Sequence, residues 1–377
     1  MDWQFAYDAY PVNDDMIWLN NCGTVPAGKH VLSAVASYLK GYSKSGHLTD
    51  VAPRADVQKG IKTILAQLLN CETDSLAIIH HTAEGMNFIS HGLKLTPGDE
   101  IILLENEYPS NVYPWWHWQE KGVKLMTAPM ADTPEEFLEN LKACINAHTK
   151  VMALSAVHWC TGMPLPINAI GKLCKDNDII FVLDGAQGVG TQPIDVETAN
   201  IYAMAFSAWK WLMGPLGLGV LYLAPEAIES LSPIFLGSSS VPNEQEYLPY
   251  KTTLKNGADR FVASTPNYTD WVYFLSALEF LNNIGFETVQ NRLFELSRHL
   301  QNGLAEIGFE VLSNNFSDHP SAIVVSHKPQ TATKALMTQL NRHNIVAADR
   351  LGRLRMAAHI YNSPQQLDQV IEILAKI

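Results

Sequence analysis

Seven short apolar runs alternate with helical patterns from about residue 74. They cover residues 74–81, 99–105, 123–129, 150–157, 179–184, 201–208 and 217–223. Near-continuous apolar runs of this length are typical of strands buried on both faces of a mostly parallel sheet. The clearest helix between them starts at Thr133, where Pro134 and Glu136 complete a start signal. The pattern predicts an α/β fold in which helices flank a seven-stranded, mostly parallel sheet.

The pattern changes after about residue 255. Two long helical segments run from 269 to about 306, and shorter strand-like runs follow at 309–312, 321–327 and 353–359. Ser363, Pro364 and Gln366 then form a capping-box pattern that opens a final amphipathic helix. We therefore predict a large domain at 1–255, which begins with an arm of residues 1–20, and a smaller α+β domain at 256–377.

Composition and charge narrow the class of protein. Of 377 residues, 47% are hydrophobic, which is enough for a large core, and 38 acidic against 26 basic residues give a net charge of −12. That sign argues against nucleic acid and against an anionic membrane surface as partners. The chain starts without a secretory signal pattern, and its apolar stretches are too short to span a bilayer. The five cysteines are scattered without a CxxC pair. We therefore expect a cytoplasmic protein with reduced thiols and no metal site.

Polar segments follow the predicted strands at their carboxyl ends, where parallel strands place a ligand site. They read HHTAEGMN, ENEYPSN, HWCTG, DGAQ and SAWK in chain order. Taken singly, each has an ordinary explanation. Asp184 or Thr82 could be a helix cap, and His158 and Cys160 could be packed side chains rather than metal ligands. Taken together, the segments predict a site at this edge of the sheet.

Lys210 stands between Trp209 and Trp211, immediately before a glycine-rich turn. The glycines match neither GxGxxG nor a phosphate loop, so a nucleotide site is not predicted. A lysine in a desolvated pocket has a lowered pKa, and its neutral amine can form a Schiff base with an aldehyde. Lys210, Asp184 and the helix start at Thr82 would suit the aldehyde, pyridine nitrogen and phosphate of pyridoxal phosphate.

Four ordered motifs carry a resemblance to a known family. They are T-x-E-G-x-N from residue 82, E-x-x-S-N-x-x-P-W from 107, D-G-A-Q from 184 and S-x-x-K-W-L-x-G-P-x-G-x-G from 207. This order resembles the fold-type I pyridoxal-phosphate enzymes of the class V aminotransferase and cysteine desulfurase group. The resemblance runs from about residue 19 to residue 362, and so covers most of the chain.

The resemblance implies a role for each matching residue. Lys210 would carry the cofactor as a Schiff base, Asp184 would keep the pyridine nitrogen protonated, and Gln187 would bond the ring hydroxyl oxygen. Other cofactor contacts implied in this way are phosphate binding by Thr82, Ala83 and Ser207, stacking by Tyr108, and neighbouring positions for Trp209 and His158.

The resemblance also implies the substrate side of the site. Arg355 would clamp the α-carboxylate of an amino-acid substrate, with Cys22 and Gly23 lining the entrance. Thr265 would reach the phosphate from a second subunit, which implies a homodimer with shared active sites. The catalytic set implied by the resemblance is Lys210, Asp184, Tyr108 and His158.

One departure from the desulfurases concerns the segment before Arg355. Desulfurases of this group carry a persulfide-forming cysteine there, whereas NIVAADRLGRLRM has none. The segment is more similar to the isopenicillin N epimerase, C–S lyase and kynureninase-like branches. We expect chemistry at Cα of an amino acid, first an aminotransferase-type reaction. The alternatives are β-elimination by a C–S lyase and, after it, an epimerase or a kynureninase-like hydrolase. Intact Lys210, Asp184 and Arg355 argue against a regulator without turnover.

Overall fold

The computed structural model describes residues 1–243, 245–316 and 318–377. Its strands are β1 Ile17–Trp18, β2 Leu76–Ile79, β3 Glu100–Leu104, β4 Lys124–Ala128, β5 Thr149–Ser155, β6 Ile180–Asp184, β7 Ala203–Ser207, β8 Gly219–Leu223, β9 Glu310–Val311, β10 Val324–His327, β11 Ile345–Val346, β12 Ala348–Arg350 and β13 Arg353–Met356. Its α-helices are α1 Gln4–Asp8, α2 Lys29–Ser45, α3 Arg54–Leu69, α4 Thr82–Gly92, α5 Pro134–Cys144, α6 Ile167–Asp176, α7 Pro225–Ser230, α8 Tyr268–Ile284, α9 Phe286–Glu306, α10 Thr333–Arg342 and α11 Pro364–Ala375.

The seven predicted apolar runs all form strands of one sheet, in the order β2-β8-β7-β6-β5-β3-β4. Only β8 runs antiparallel to its neighbours β2 and β7, and the other pairs are parallel. The loop from β7 to β8 contains no helix, and parallel neighbours need a longer crossover. The predicted fold class, a seven-stranded mostly parallel sheet flanked by helices, is confirmed.

The amino end of α4 is pressed against the carboxyl edge of this sheet. Gly85 allows the close approach, since a Cβ there would lie 2.6 Å from the Cβ of Ala205 on β7. The His81 side chain caps α4 by accepting a hydrogen bond from the Glu84 amide over 3.0 Å. The free amides of the first helical turn therefore face the edge at which β6 and β7 end.

A smaller antiparallel sheet, ordered β12-β13-β10-β9, forms the second layer of the chain. Its own apolar cluster includes Leu300, Leu340 and Leu354. The predicted capping box of the last helix is present, with Ser363 and Gln366 bonding each other's backbone. Strand β1 pairs with β11 in parallel, and Ile17 and Leu19 belong to this smaller cluster, whereas Ala6 and Tyr10 before β1 belong to the core of the large sheet.

Packing of α8 bears on the proposed domain division. This helix lies on α2 and α3, and its Trp271, Phe274 and Leu278 belong to the core of the large sheet. We therefore propose a later division than 255/256, near Gly285, where α8 and α9 meet. Across the described residues, the helices are all too short or too polar to cross a membrane.

Candidate active site

A cavity of about 380 Å³ opens at the carboxyl edge of the large sheet. It is lined by residues from both sheets, namely Cys22, Gly23, His81, Thr82, Ala83, Tyr108, Ser110, Trp159, Asp184, Ala186, Gln187, Ser207, Trp209, Lys210, Arg350 and Arg355. All of the site residues expected from the sequence are in this wall except His158 and Thr265. A wider cleft of about 1100 Å³ lies at the opposite edge, and neither Lys210 nor Asp184 reaches it.

Lys210 and Asp184 lie at the carboxyl ends of the neighbouring strands β7 and β6. Asp184 ends β6 and is 3% exposed, and its Oδ1 accepts a hydrogen bond from the Ala186 amide over 2.9 Å. Burial raises the pKa of Asp184, although the Lys210 charge and the Ala186 amide oppose the rise. Burial lowers the pKa of Lys210 against the attraction of Asp184. The direction of the Lys210 shift favours the neutral amine, which is the nucleophilic form.

Two buried hydroxyl groups line the cavity, Thr82 at the start of α4 and Ser207 at the end of β7. Neither Thr82 Oγ1 nor Ser207 Oγ has a hydrogen-bond partner among the described residues. Buried polar atoms are normally satisfied, so orphaned donors beside a helix start indicate a place for an anion. Ala83, in the first turn of α4, is part of the same wall.

Both the nitrogen and the oxygen of the Gln187 side-chain amide make hydrogen bonds. Its Nε2 donates to the carbonyl oxygen of Cys22 over 2.8 Å, and its Oε1 accepts from the Trp211 indole nitrogen over 2.8 Å. Trp211 is 1% exposed, whereas Trp209 lines the cavity beside Lys210. The two tryptophans therefore differ in role, since one is a wall of the cavity and the other orients a side chain in it.

Tyr108 covers the Lys210 amine from the open side of the cavity. Its ring centroid lies 5.6 Å from Lys210 Nζ, and its edge meets the Trp159 ring at 5.5 Å and 71°. The side chain is 42% exposed. An aromatic face this close to an amine suits a stacking position above a planar ligand.

Two arginines reach the cavity from the smaller sheet. Arg355 on β13 is 3% exposed and donates from Nη1 to the carbonyl oxygen of Trp159 over 2.8 Å. Its Nε is buried and has no hydrogen-bond partner within the described part of the chain. Arg350 at the end of β12 donates to the Asp349 carbonyl oxygen. Among the described residues neither makes an ion pair with a carboxylate. The cavity therefore holds two guanidinium groups available to anions.

Comparison with known proteins agrees with this geometry. The sequence model of the family "Aminotransferase class-V" matches residues 17–363. The chain belongs to this family. It is a pyridoxal-phosphate-dependent enzyme.

Relatives of this class V chain carry the names of both desulfurases and aminotransferases. A probable cysteine desulfurase of Pyrococcus abyssi is 26% identical over 97% of this chain and 95% of its own. An uncharacterized aminotransferase of Schizosaccharomyces pombe is 25% identical over 84% of this chain and 80% of its own.

Solved structures share the fold. The apo cysteine desulfurase of Thermococcus onnurineus has a TM-score of 0.88 at 22% identity, covering 99% of this chain and 97% of that one. The cystine C–S lyase C-DES in complex with cysteine persulfide has a TM-score of 0.88 at 21% identity, covering 98% and 99%.

The residues of the cavity fit pyridoxal phosphate. The orphaned hydroxyls of Thr82 and Ser207 and the start of α4 would hold its phosphate. Asp184 would face the pyridine nitrogen, and Lys210 is the amine available to the aldehyde. Gln187 keeps one Nε2 hydrogen free of its bond to Cys22 and could give it to a ring oxygen.

The structure corrects the sequence-based position of His158. This residue is 1% exposed and does not line the cavity. Its Nδ1 bonds Thr161 Oγ1 over 2.8 Å, and its Nε2 lies 3.3 Å from the Asn106 carbonyl oxygen. Burial lowers the pKa of His158 to about 4, so the ring is neutral and packed. Trp159, the next residue, lies in the turn that the Gly162 amide closes on the His158 carbonyl oxygen, and it lines the cavity instead.

Thr265 is exposed and lies outside the cavity of the single chain. Its contribution to the site of a second subunit stays a prediction.

Several residues of the cavity wall were not assigned from the sequence. Ser110, Ala186 and His81 belong to segments that were recognised, and the strand-end positions were the available signal. Arg350 lies opposite Arg353 in the β12–β13 hairpin, a pairing that the sequence did not reveal. Its direction into the cavity depends on the register of that hairpin.

Proposed function

We propose that this class V enzyme breaks the C–S bond of a sulfur-containing amino acid by β-elimination, instead of the transamination expected first from the sequence. In this reaction the substrate and one water yield a thiol or persulfide, pyruvate and ammonium. Support comes from relatives named cysteine desulfurase over nearly the whole chain and from a structural neighbour named cystine C–S lyase.

The observation that carries the proposal is the β12–β13 hairpin. It places Arg350 and Arg355 at the cavity and contains no cysteine. A sulfur atom released at this wall has no thiol on the hairpin to receive it. Direct loss of the sulfur group to solvent is therefore favoured over transfer to an enzyme cysteine on this loop.

Arg355, Lys210 and Asp184 have different roles in this reaction. Arg355, which lines the cavity, binds the substrate carboxylate through its guanidinium group and so orients Cα. Lys210, whose pKa is lowered by burial, accepts the proton from Cα on its Nζ. The bound cofactor supplies an electron sink for the charge left at Cα. Asp184 holds negative charge at the buried end of the cavity, where a protonated ring nitrogen needs it.

Arg350 favours a substrate with a second anionic group. It lies at the cavity wall with Arg355, and the partial burial and the Arg355 charge lower its pKa. A second guanidinium would bind the far carboxylate of a disulfide-linked amino acid such as cystine. We propose cystine, or a similar amino acid with two anionic ends, as the substrate class.

The test is a product analysis with a panel of amino acids. The enzyme loaded with pyridoxal phosphate is incubated with cystine, cysteine, cysteine sulfinate and aspartate, and pyruvate, alanine and ammonium are quantified. We expect pyruvate and ammonium in equal amounts from cystine without any added acceptor, and none with Lys210→Ala. Turnover that needs a 2-oxo acid would establish transamination, and alanine in place of pyruvate would establish desulfuration. Either product would overturn the proposal.

A further inference from the structure

Glu107 is a buried carboxylate at the carboxyl edge of the large sheet that does not line the cavity. It is 7% exposed, and no cation pairs with it among the described residues. Its Oε1 accepts hydrogen bonds from the Tyr108 amide and from Ser155 Oγ, each over 2.6 Å. Its Oε2 accepts from the Ser155 amide over 2.9 Å and from Asn111 Nδ2 over 3.2 Å. Four donors thus compensate a buried charge that would otherwise be costly.

These bonds join the loop after β3 to the strand beside Asp184. Ser155 is the last residue of β5 and lies directly opposite Asp184 in the sheet. Asn111 in turn accepts a hydrogen bond from the Trp115 indole over 3.3 Å. The carboxylate of Glu107 is therefore the point at which the turn containing Tyr108 is attached to the layer that holds Asp184.

The position of Tyr108 depends on such an attachment, because its side chain is too exposed for packing alone to fix it. Its side chain is 42% exposed, and among the described residues its ring contacts the Trp159 ring and Lys210 Nζ. We propose that Glu107 is a positioning residue for the cofactor, which fixes the turn that carries Tyr108 against the end of β5. The proposal concerns cofactor binding and is independent of which bond the enzyme breaks.

The test is a double-mutant cycle on cofactor affinity. Apoenzyme is titrated with pyridoxal phosphate, and the dissociation constant is read from tryptophan fluorescence for the wild type, Glu107→Gln, Tyr108→Ala and the double variant. We expect each single change to weaken binding about tenfold. We expect the double variant to bind about as weakly as Tyr108→Ala alone, because both changes remove the same contribution.

A matched control is present at the start of the strand that precedes the Glu107 loop. Glu100, the first residue of β3, is also buried, and it accepts a hydrogen bond from Asn146 Nδ2 over 2.7 Å. Glu100→Gln should leave the dissociation constant unchanged. If Glu107→Gln does not fold, Ser155→Ala removes one of the four bonds and enters the same cycle with Tyr108→Ala. Unchanged affinity in the Glu107 or Ser155 variant, or effects that simply add in the double variant, would overturn the proposal.

Discussion

Arg355 donates a hydrogen bond from Nη1 to the carbonyl oxygen of Trp159 across 2.8 Å, which joins the smaller sheet to the loop after β5. The protein thereby occupies Nη1 of the guanidinium group, while Nε has no hydrogen-bond partner among residues 1–243, 245–316 and 318–377. The side chain is 3% exposed, so its direction is set before a substrate arrives. Preorganisation of this kind reduces the entropy that is lost when a carboxylate binds.

Replacement of Arg355 by lysine should mainly weaken substrate binding. Lysine retains the charge but loses the forked geometry that both Trp159 and a carboxylate use. A lost charge-assisted hydrogen bond corresponds to a rise in KM of about 10- to 100-fold, with a smaller change in kcat. Steady-state kinetics measure both. Arg353→Lys, an exposed change on the same hairpin, is the control, and an unaltered KM in Arg355→Lys would contradict the assignment.

Replacement of Lys210 by arginine separates charge from chemistry. The guanidinium stays protonated and can neither form a Schiff base nor accept a proton from Cα. We expect a loss of about a thousandfold in kcat/KM. The visible absorbance of the bound cofactor should shift from that of a Schiff base to that of the free aldehyde. Borohydride reduction followed by peptide mass analysis checks the attachment, which should be absent from the variant and present at residue 210 in the wild type.

Replacement of Asp184 by asparagine should lower the rate more than it lowers cofactor binding. Asparagine can still accept the Ala186 amide hydrogen bond, but it carries no charge for a protonated ring nitrogen. Loss of one electrostatic contact of this kind costs about 10²–10³-fold in kcat. Single-turnover rates and cofactor titration of the same preparation measure the two quantities. A variant that turns over at the wild-type rate would argue against Asp184 as the ring-nitrogen partner.

Mixing two inactive variants tests the proposed sharing of sites between subunits. If Thr265 serves the site of the partner, a dimer of Lys210→Ala with Thr265→Ala has one intact and one doubly altered site. Random mixing should then restore about a quarter of the wild-type activity, because about half of the dimers are mixed. Lys210→Ala mixed with Asp184→Asn, both from one subunit's site, is the control and should restore nothing. Equal results in both mixtures would show that Thr265 acts within its own subunit, and a Thr265→Ala variant that is fully active by itself would show that Thr265 does not serve the site.

The pH dependence of stability should carry a contribution from Glu107. Burial and the neighbouring Asp184 raise the pKa of Glu107 to about 7 from 4.5, although the bonds from Ser155, Tyr108 and Asn111 oppose the rise. Between these values the unfolded chain loses the proton and the folded chain keeps it. The free energy of unfolding therefore falls as pH rises through this window, by about 3 kcal/mol at most.

Chemical denaturation at pH 4.5, 5.5, 6.5 and 7.5 measures this slope. Glu107→Gln should remove the decline, whatever its effect on stability at a single pH. Glu100→Gln should retain it. A decline of the same size in wild type and in Glu107→Gln would mean that another group is responsible.

Much of the fold could be predicted because a buried strand must be built from apolar residues, which are visible in the sequence. Strands covered on both faces must be apolar throughout, and this explains six of the seven runs. The seventh strand, β4 at the edge of the sheet, is mostly exposed, which differs from the buried strand that its apolar run predicted. Asp184 and Lys210 stood out as polar residues after such runs. Two features depended on long-range pairing instead. The reversed direction of β8 and the pairing of Ile17 with Ile345 follow from how the chain returns in space, which local patterns do not encode.

Site residues could be predicted where a sequence motif fixes their position. They were harder to predict where the assignment depends on which way a side chain points. His158 and Trp159 are adjacent, and their assignment depended on which of them points into the cavity. The structure has Trp159 there, with its indole bonded to the Asn106 carbonyl oxygen. Arg350 likewise depends on hairpin register rather than on residue type.

The segment from Ile17 to Val25 belongs to both halves of the molecule. Its first strand is an edge of the smaller unit, and Asn20 forms a bridge to Ala357, just after β13. Beyond it, the Cys22 carbonyl accepts from Gln187, and the Val25 amide donates to the Trp209 carbonyl oxygen. One short strap thus ties the arginine-bearing sheet to the lysine-bearing loop. Any movement of the two sheets relative to each other would have to bend this strap, which itself lines the cavity at Cys22 and Gly23.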